Sequence, residues 1–408
     1  MTNLVFLLEL TKRLTSIGHE NKELPPLNEV EPLESCFTKE ITLDYNKLDE
    51  LDGHFTRREI IARYLLLNVI LDQGPDIKGV RELLKNVTNN LYKKEIKIFH
   101  NPNDFFKNID IVIDVIQREH NHIKEKRADV WAKENNTSPN KYNLFFTQSP
   151  RGIISIKQIL DYVIHRWGSP LSLFIMLGKT NRGTQTPDVL INYIESWKSA
   201  EIMCKRIKDH ERYGLGSAIG DKACHLYAKM YVSVFNLVKL RRYDNGWTDL
   251  SYELPLDSNA ARVLFRTGFL NEIASFDDYE RWGVIQKGKG KGGYHYIRAT
   301  NLRHKKINID DKELLSDYAS IRKDYLKLSN KQPQYIEIQH LPNLLIYKLN
   351  KESSGNQRYR LSDFDDGLIF IGTKYCFNHK YPKCNECPIN YLCKGYKENN
   401  NLITNYFT

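Results

Sequence analysis

One stretch of the chain is apolar around its whole circumference when it is drawn as a helix. Residues 60–71 read Ile-Ile-Ala-Arg-Tyr-Leu-Leu-Leu-Asn-Val-Ile-Leu. Because a helix without a polar face has to be buried, this stretch is predicted to lie at the centre of the core. Thr56 and Glu59 precede it at the spacing of a capping box, and the Gly74-Pro75 pair ends it.

Helical spacing continues over most of the chain and predicts a mainly α fold. Apolar residues recur at helical intervals over 80–91, 109–116, 154–167 and 187–208. Residues 214–220 then form a glycine-bearing turn, and the helix that follows is predicted to reach Leu240.

Two shorter stretches, 282–286 and 294–300, alternate like strands instead. Between and beside them Lys287, Lys289 and Lys291 alternate with glycines, so the sequence predicts a β-hairpin with a basic tip. Such a tip can follow a phosphate backbone as a set of point charges. A solubilising turn is the alternative interpretation.

The turn at 214–220 has the features of an anion site. N–H groups at the start of a helix have no partner within the helix, and they coincide with the positive end of its dipole, so they bind phosphate. The candidate backbone contacts to DNA in this turn are Gly216, Ala218 and Gly220.

Two chemically useful side chains stand at helix starts. Lys222 follows the turn, and Asp257, or its neighbour Ser258, is placed to cap the next helix. A lysine amine with a carboxylate beside it in one cleft is equipped to attack a sugar carbon. As alternatives, Lys222 contacts a phosphate or Asp257 serves only as the cap.

Composition narrows the class of protein. A chain of 408 residues and 47.9 kDa can bury a sizeable core. We expect an N-terminal segment 1–55 packed on the C-terminal lobe, a helical lobe 56–245, and a second lobe 246–408. A net charge of +10 and a pI near 9.0 favour a polyanionic partner.

No stretch is apolar for long enough to cross a bilayer. Glu9 interrupts the apolar start, so we expect no signal peptide and a reducing, cytoplasmic location.

The cysteines indicate a metal centre. Four of the seven cysteines follow a C-x7-C-x2-C-x5-C pattern. In a reducing compartment clustered thiols favour metal over disulfides, and both zinc and a 4Fe–4S cluster fit four thiolates. These cysteines are Cys376, Cys384, Cys387 and Cys393.

Several of these segments resemble the helix-hairpin-helix (HhH-GPD) DNA glycosylases, in particular the endonuclease III-like branch. The run 219–223, Ile-Gly-Asp-Lys-Ala, is similar to that family's Val-Gly-x-Lys-x-Ala, with one residue displaced. The run 256–266 is similar to its Val-Asp-Thr-His-x-x-Arg-Val-x-x-Arg. The cysteine spacing is similar to the family's cluster loop, with one extra residue in the first interval.

The resemblance implies a two-lobed helical glycosylase fold with a helix-hairpin-helix, a four-cysteine cluster loop and a small inserted β-hairpin. It implies that Lys222 forms a Schiff base with the sugar, that Asp257 stabilises the positive charge on the sugar, and that the cysteines hold a structural 4Fe–4S cluster. The glutamine of a similar turn fills the space left by an extruded base, which assigns this role to Gln73. The expected partner is double-stranded DNA with a flipped base, bound by a monomer. Lys380 and Lys383 add positive charge to the cluster loop.

The resemblance covers less than a third of the chain, in the blocks 60–76, 215–267 and 363–397. Ala218 stands where the hairpin's first glycine is usual, and Asn259 stands where histidine is usual. Three other interpretations stay open: a monofunctional enzyme in which Asp257 activates water, an enzyme that acts on hypermodified bases of phage DNA in defence or modification, and a non-enzymatic DNA-binding metalloprotein.

Overall fold

The computed structural model describes residues 3–72, 76–134, 138–142, 144, 155–180, 186–239, 246–282, 285–289, 295–299, 306–308, 312–323, 326, 335–353, 358–376 and 382–397. Within these residues the chain is mainly α-helical, which confirms the expected mainly α class. Its contacts divide it into two compact units. The central unit is Leu24–Arg241, and the terminal unit is Met1–Glu23 together with Arg242–Thr408.

The described helices are, in chain order, α1 (Leu4–Asn21), α2 (Arg57–Leu71), α3 (Ile77–Tyr92), α4 (Asn103–Lys107), α5 (Ile109–Glu134), α6 (Ile156–Tyr162), α7 (Ser169–Thr180), α8 (Val189–Glu195), α9 (Ala200–Asp209), α10 (Asp221–Ala228), α11 (Ser258–Arg266), α12 (Phe276–Arg281), α13 (Lys312–Ile321), α14 (Leu341–Glu352), α15 (Leu361–Lys374) and α16 (Lys394–Lys397). Helices α6 and α10 each continue into a π-helical turn, at Val163–Gly168 and Lys229–Val234. The helix predicted to reach Leu240 ends near Phe235 instead, because Asn236 has φ +44° and cannot continue a right-handed helix.

The described strands form three antiparallel pairs: β1 (Leu51–Asp52) with β2 (Phe55–Thr56), β3 (Ile285–Lys289) with β4 (His295–Ala299), and β5 (Lys306–Asn308) with β6 (Tyr335–Glu337). The pairing of β3 with β4 confirms the predicted hairpin, with Lys287 opposite Ile297 and Lys289 opposite His295. Residue 282, at which the first strand was predicted to begin, is instead the C-cap of α12. Residues 290–294, including Lys291, lie outside the described residues.

Helix α2 is the core of the central unit, as its apolar sequence predicts. Every residue of α2 after Arg57 is buried, and the helix packs against α8 and α10. Thr56 accepts a hydrogen bond from the Glu59 N–H at 3.2 Å, as a capping residue does.

The Glu59 half of the predicted capping box is wrong. The Glu59 carboxylate is fully buried and accepts from Leu190 N at 2.8 Å and Ile191 N at 3.0 Å, in the first turn of α8. It also accepts from Arg63 Nε at 2.8 Å. Buried backbone N–H groups need a hydrogen-bond partner. Glu59, which local spacing assigned to the start of α2, supplies that partner for α8 instead.

The unit boundary at residue 23 differs from the predicted boundary at residue 55. Leu27, Val30 and Leu33 are buried within the central unit. The backbone of this segment is tied to the same unit, with Arg58 N donating to Leu48 O at 2.9 Å. Helix α1, by contrast, packs along α15 in the terminal unit. The expected N-terminal segment is therefore divided between the two units.

Two glycines allow α1 and α15 to approach each other at backbone distance. A Cβ on Gly18 would lie 1.8 Å from Asp363 O, and a Cβ on Gly367 would lie 2.1 Å from Leu14 O. No side chain fits at either place unless the helices separate. This contact fixes α15, whose C-terminal end leads directly to Cys376.

Replacing Gly367 with alanine is expected to destabilise the terminal unit by about 3 kcal/mol or more, since the atom it meets is backbone and cannot rotate away. Thermal unfolding measures this. Gly178→Ala is the matched control: it adds the same methyl group to a helical glycine with nothing within 4 Å, and a gain of about 0.5–1 kcal/mol is expected there. Equal stability of wild type and Gly367→Ala would contradict the close packing.

Candidate active site and metal centre

The turn between α9 and α10 is held by its own backbone. Gly214 N donates to His210 O at 2.7 Å, and Leu215 N donates to Ile207 O at 3.0 Å. Gly216 is exposed and has φ +52°, which favours glycine. It opens a short 3-10 turn, Gly216–Ala218.

The predicted backbone contacts of this turn differ in exposure. Gly216 and Gly220 are exposed, and each has open space where a Cβ would stand. Ala218 is buried. Gly220 is the N-cap of α10, so no side chain caps the start of this helix.

Lys222 is the second residue of α10 and is half-buried. The first residue, Asp221, accepts a hydrogen bond from Lys208 Nζ at 2.7 Å. Because Lys208 lies in the last turn of α9, this ion pair joins the two ends of the turn. It fixes where α10 begins and therefore where Lys222 stands.

Arg166, which the sequence analysis did not identify, forms a hydrogen bond to this turn although it lies far from it in the sequence. It lies in the π-helical turn after α6, and its Nη1 donates to Ala218 O at 2.6 Å. Burial lowers the pKa of this guanidinium, so its charge is partly removed from water. No local pattern could have identified Arg166, because the contact joins residues far apart in the sequence.

Asp257 is the N-cap of α11, as predicted. Its Oδ1 accepts from Asn259 N and from Ala260 N, both at 2.8 Å. The residue is half-buried. These bonds fix the carboxylate at the head of α11.

Two arginines of α11 join this helix to the end of α15. Arg262 Nε donates to Cys376 O at 2.6 Å, and its Nη2 donates to Gly372 O at 3.0 Å and to Asn259 Oδ1 at 2.7 Å. Arg266 Nη1 lies 3.3 Å from Cys376 Sγ. The arginines that matched the family pattern thus connect the Asp257 helix to the first cysteine.

All four predicted cysteine ligands line one cavity of about 50 Å³ in the terminal unit. Cys393 Sγ also lies 3.2 Å from the carbonyl oxygen of Arg266. The other described lining residues are mostly apolar, and Arg266 is the charged side chain among them. They are Val263, Arg266, Thr267, Ile371, Tyr375, Pro382, Ile389, Asn390, Gly395 and Tyr396.

Burial controls the protonation of these thiols. It raises the pKa of both Cys387 and Cys393 to about 12, and it raises the pKa of Cys384 as well. As metal-free thiols, Cys387 and Cys393 are therefore neutral at neutral pH. A metal that binds here has to displace their protons.

The remaining predicted contacts are placed only in part. Gln73, Lys291 and Lys380 lie outside the described residues. Lys287 and Lys289 lie on β3. Lys383 is exposed beside Cys384, and its Nζ lies 4.0 Å from Glu386 Oε2.

The structure thus brings together the four cysteines and the helix that Asp257 caps. Lys222 belongs to the central unit and Asp257 to the terminal unit, so their convergence on one sugar stays a prediction.

Comparison of the chain with protein-family models, with curated proteins and with solved structures gives no match. Among the described helices, none combines the length and the apolar character that spanning a membrane requires.

Proposed function

We propose that this chain is a DNA glycosylase of the helix-hairpin-helix type, which cleaves the N-glycosidic bond of a damaged or modified base. One observation carries the proposal: Asp257 caps the start of helix α11, and Val263 and Arg266 of the same helix line the four-cysteine cavity. A carboxylate at a helix start and a metal centre at the end of the same helix are what the resemblance implies.

The spacing of the sulfurs favours a 4Fe–4S cluster over a single zinc. Four thiolates on one zinc stand about 3.8 Å apart, because Zn–S bonds are about 2.3 Å long and tetrahedral. Among the described residues, no three of the cysteine sulfurs lie within 4.8 Å of one another. A 4Fe–4S cluster, in which each of the four irons would be bound by one thiolate, would need the four sulfurs further apart than a single zinc does.

Arg266 supports a metal-bound state of the cavity. The side chain is buried at 6% exposure, with its guanidinium beside Cys376 Sγ. A buried cation is stable where negative charge lies close to it. Thiolates bound to a metal supply that charge at the guanidinium, and protonated thiols do not. When bound, the cluster would act structurally, by joining the segment 376–393 into one folded loop.

The segment α9–turn–α10 supports the DNA contact. It has an exposed glycine with positive φ, an exposed glycine N-cap and a helix start, which together suit a phosphate. In the proposal this segment is the hairpin that binds the DNA backbone, and it sets Lys222 at the edge of the bound strand.

Asp257 and Lys222 share the chemistry in this proposal. As the bond from C1′ to the base breaks, the base leaves with the bonding electrons and positive charge develops on the deoxyribose, which the Asp257 carboxylate stabilises. The Lys222 amine, once deprotonated, bonds to C1′ as the base leaves, and opening of the sugar ring at the C1′–O4′ bond then gives a Schiff base. β-Elimination of the 3′ phosphate then breaks the strand, and water releases the lysine. The target base has to leave the stack to reach these groups.

The strand pairs that follow α12 favour a second candidate substrate class within the same scaffold. Pairs β3–β4 and β5–β6 both belong to the terminal unit. Inserted segments of this kind can reshape a base pocket for hypermodified phage bases.

The test is base release from a panel of duplexes that carry uracil, oxidised pyrimidines, mismatches or hypermodified phage bases, with borohydride present in half of the reactions. The proposal expects release from at least one duplex, and a trapped covalent adduct on that same duplex. Release of the base without a trapped adduct would indicate a monofunctional glycosylase in which Asp257 activates water. No release from any duplex would contradict the proposal.

Replacing Arg166 with methionine is expected to weaken binding to duplex DNA by about tenfold or more, because one charge-assisted hydrogen bond that fixes the turn is lost. Arg166→Lys keeps the charge and is expected to fall between wild type and Arg166→Met. Fluorescence anisotropy gives the affinity, and a thermal melt of each variant shows whether the fold is intact. Unchanged affinity in a folded Arg166→Met would show that the turn holds its shape without Arg166.

A further inference from the structure

Four aromatic rings in the central unit contact one another in a row, which we call the ring ladder: Trp197, Tyr193, His210 and Tyr213. The centroids of Trp197 and Tyr193 lie 4.7 Å apart, and those of Tyr193 and His210 lie 5.9 Å apart. His210 and Tyr213 stack at 5.3 Å with an interplanar angle of 10°. Residues from α8, from the segment between α8 and α9, and from the turn after α9 thus build one continuous surface.

The ring ladder is fixed by backbone bonds. Nδ1 of His210 accepts from Tyr213 N at 3.0 Å and lies 3.3 Å from Arg212 N. Gly214 N, the next residue, donates to His210 O at 2.7 Å. The stacked pair is therefore held rigidly at the start of the turn that leads to α10.

All four residues of the ladder are half-buried, so none of them is fully covered. Partial burial fixes the rings and leaves them able to contact a ligand. Burial also raises the pKa of Tyr193 to about 12, so its hydroxyl stays neutral.

The same stretch of chain carries an excess of exposed positive charge. Its exposed acidic side chains are two, Asp209 and Glu211, against four exposed basic ones. The Arg212 guanidinium also lies 5.9 Å from the centroid of the Tyr213 ring. The exposed cations are Lys198, Lys205, Arg206 and Arg212.

We propose that the ring ladder binds unpaired nucleotides of a DNA strand, next to the turn that holds the strand's backbone. Half-exposed rings stack on bases of any sequence, and neighbouring cations bind the phosphates between those bases. A duplex keeps its bases stacked on each other, so the ladder selects a strand that is opened locally. The choice of DNA as the polymer rests on the proposed function, and the stacking surface rests on the rings and charges alone.

The experiment measures binding of the full 408-residue chain to a fluorescent thymidine oligonucleotide, and to a duplex with and without an unpaired loop. Wild type is expected to bind the single strand and the looped duplex more tightly than the closed duplex. Tyr213→Leu and Trp197→Leu are each expected to weaken binding to the single strand roughly five- to hundredfold, since one stacked base contributes about 1–3 kcal/mol. Tyr213→Phe, which keeps the ring, is expected to restore most of the affinity.

Tyr45→Leu is the matched control, because it removes a 49% exposed tyrosine elsewhere in the central unit. It is expected to bind as wild type does, and thermal melts verify that each variant is folded. The inference is overturned if folded Tyr213→Leu and Trp197→Leu bind the single strand as tightly as Tyr45→Leu, or if wild type shows no preference for unpaired DNA. Its outcome is separate from base release: failure of the whole duplex panel would remove the proposed enzyme and leave the measured binding in place.

Discussion

Asp257→Asn is expected to reduce the rate of base release by about 10²–10⁴-fold while leaving the protein folded. Asparagine caps helices about as well as aspartate does, and its Oδ1 can still accept from Asn259 N and Ala260 N. The substitution therefore removes the negative charge and keeps the cap. Single-turnover release from the best duplex of the panel, together with a thermal melt, measures both properties.

Lys222 is tested on the same duplex. Lys222→Gln is expected to abolish the borohydride-trapped adduct and strand cleavage, because the amide cannot form a Schiff base. Lys222→Arg keeps the positive charge for a phosphate without a usable nucleophile. If Lys222→Arg cleaves as wild type does, the lysine is a phosphate contact. If Asp257→Asn releases base at the wild-type rate, Asp257 is only a helix cap.

Purified wild type is expected to contain iron and sulfide in equal amounts, near four of each per chain, and Cys387→Ser is expected to lose both. Loss of the metal should also lower the stability of the terminal unit, because binding of a structural metal is coupled to folding. Cys36→Ser is the matched control: burial also raises the pKa of the Cys36 thiol, to about 11, but Cys36 lies in the central unit. Metal analysis and visible absorption provide the measurement.

Arg266→Met is expected to lower the metal content as well, since it removes the charge beside Cys376 Sγ while roughly keeping the volume. Arg266→Lys restores the charge and is expected to recover most of the metal. One zinc per chain with no iron would contradict the assignment of a cluster. Full metal content in Arg266→Met would show that the cavity does not depend on its cation. Acid is expected to release the metal, because protons compete for the thiolates.

The sequence identified features whose causes are local. Asp257 was predicted as a cap because its bonds run to N–H groups two and three residues away. The strand pair β3–β4 was predicted because alternation and a glycine-rich tip lie side by side in the sequence. The burial of α2 was predicted because each of its faces is apolar.

Features that join distant parts of the chain were not predicted. Arg166 reaches Ala218, and Arg266 reaches Cys376, across long sequence separations. Glu59 has the spacing of a capping box and serves α8 instead. In each of these three contacts, helix packing placed a polar group that needed a hydrogen-bond partner next to the side chain that now contacts it.

By itself, the sequence determined the mainly helical class, the helix that fills the core of the central unit, the cap at Asp257 and the grouping of the four cysteines that line one cavity. Periodicity, capping and spacing act over a few residues and can be read along the chain. Only the tertiary structure decided that α1 joins the terminal unit, that Arg266 faces the cysteine cavity, and that four separate rings form one ladder. The first of those outcomes depends on how close two helices can come, which the pair Gly18 and Gly367 permits and which no single stretch of the sequence specifies.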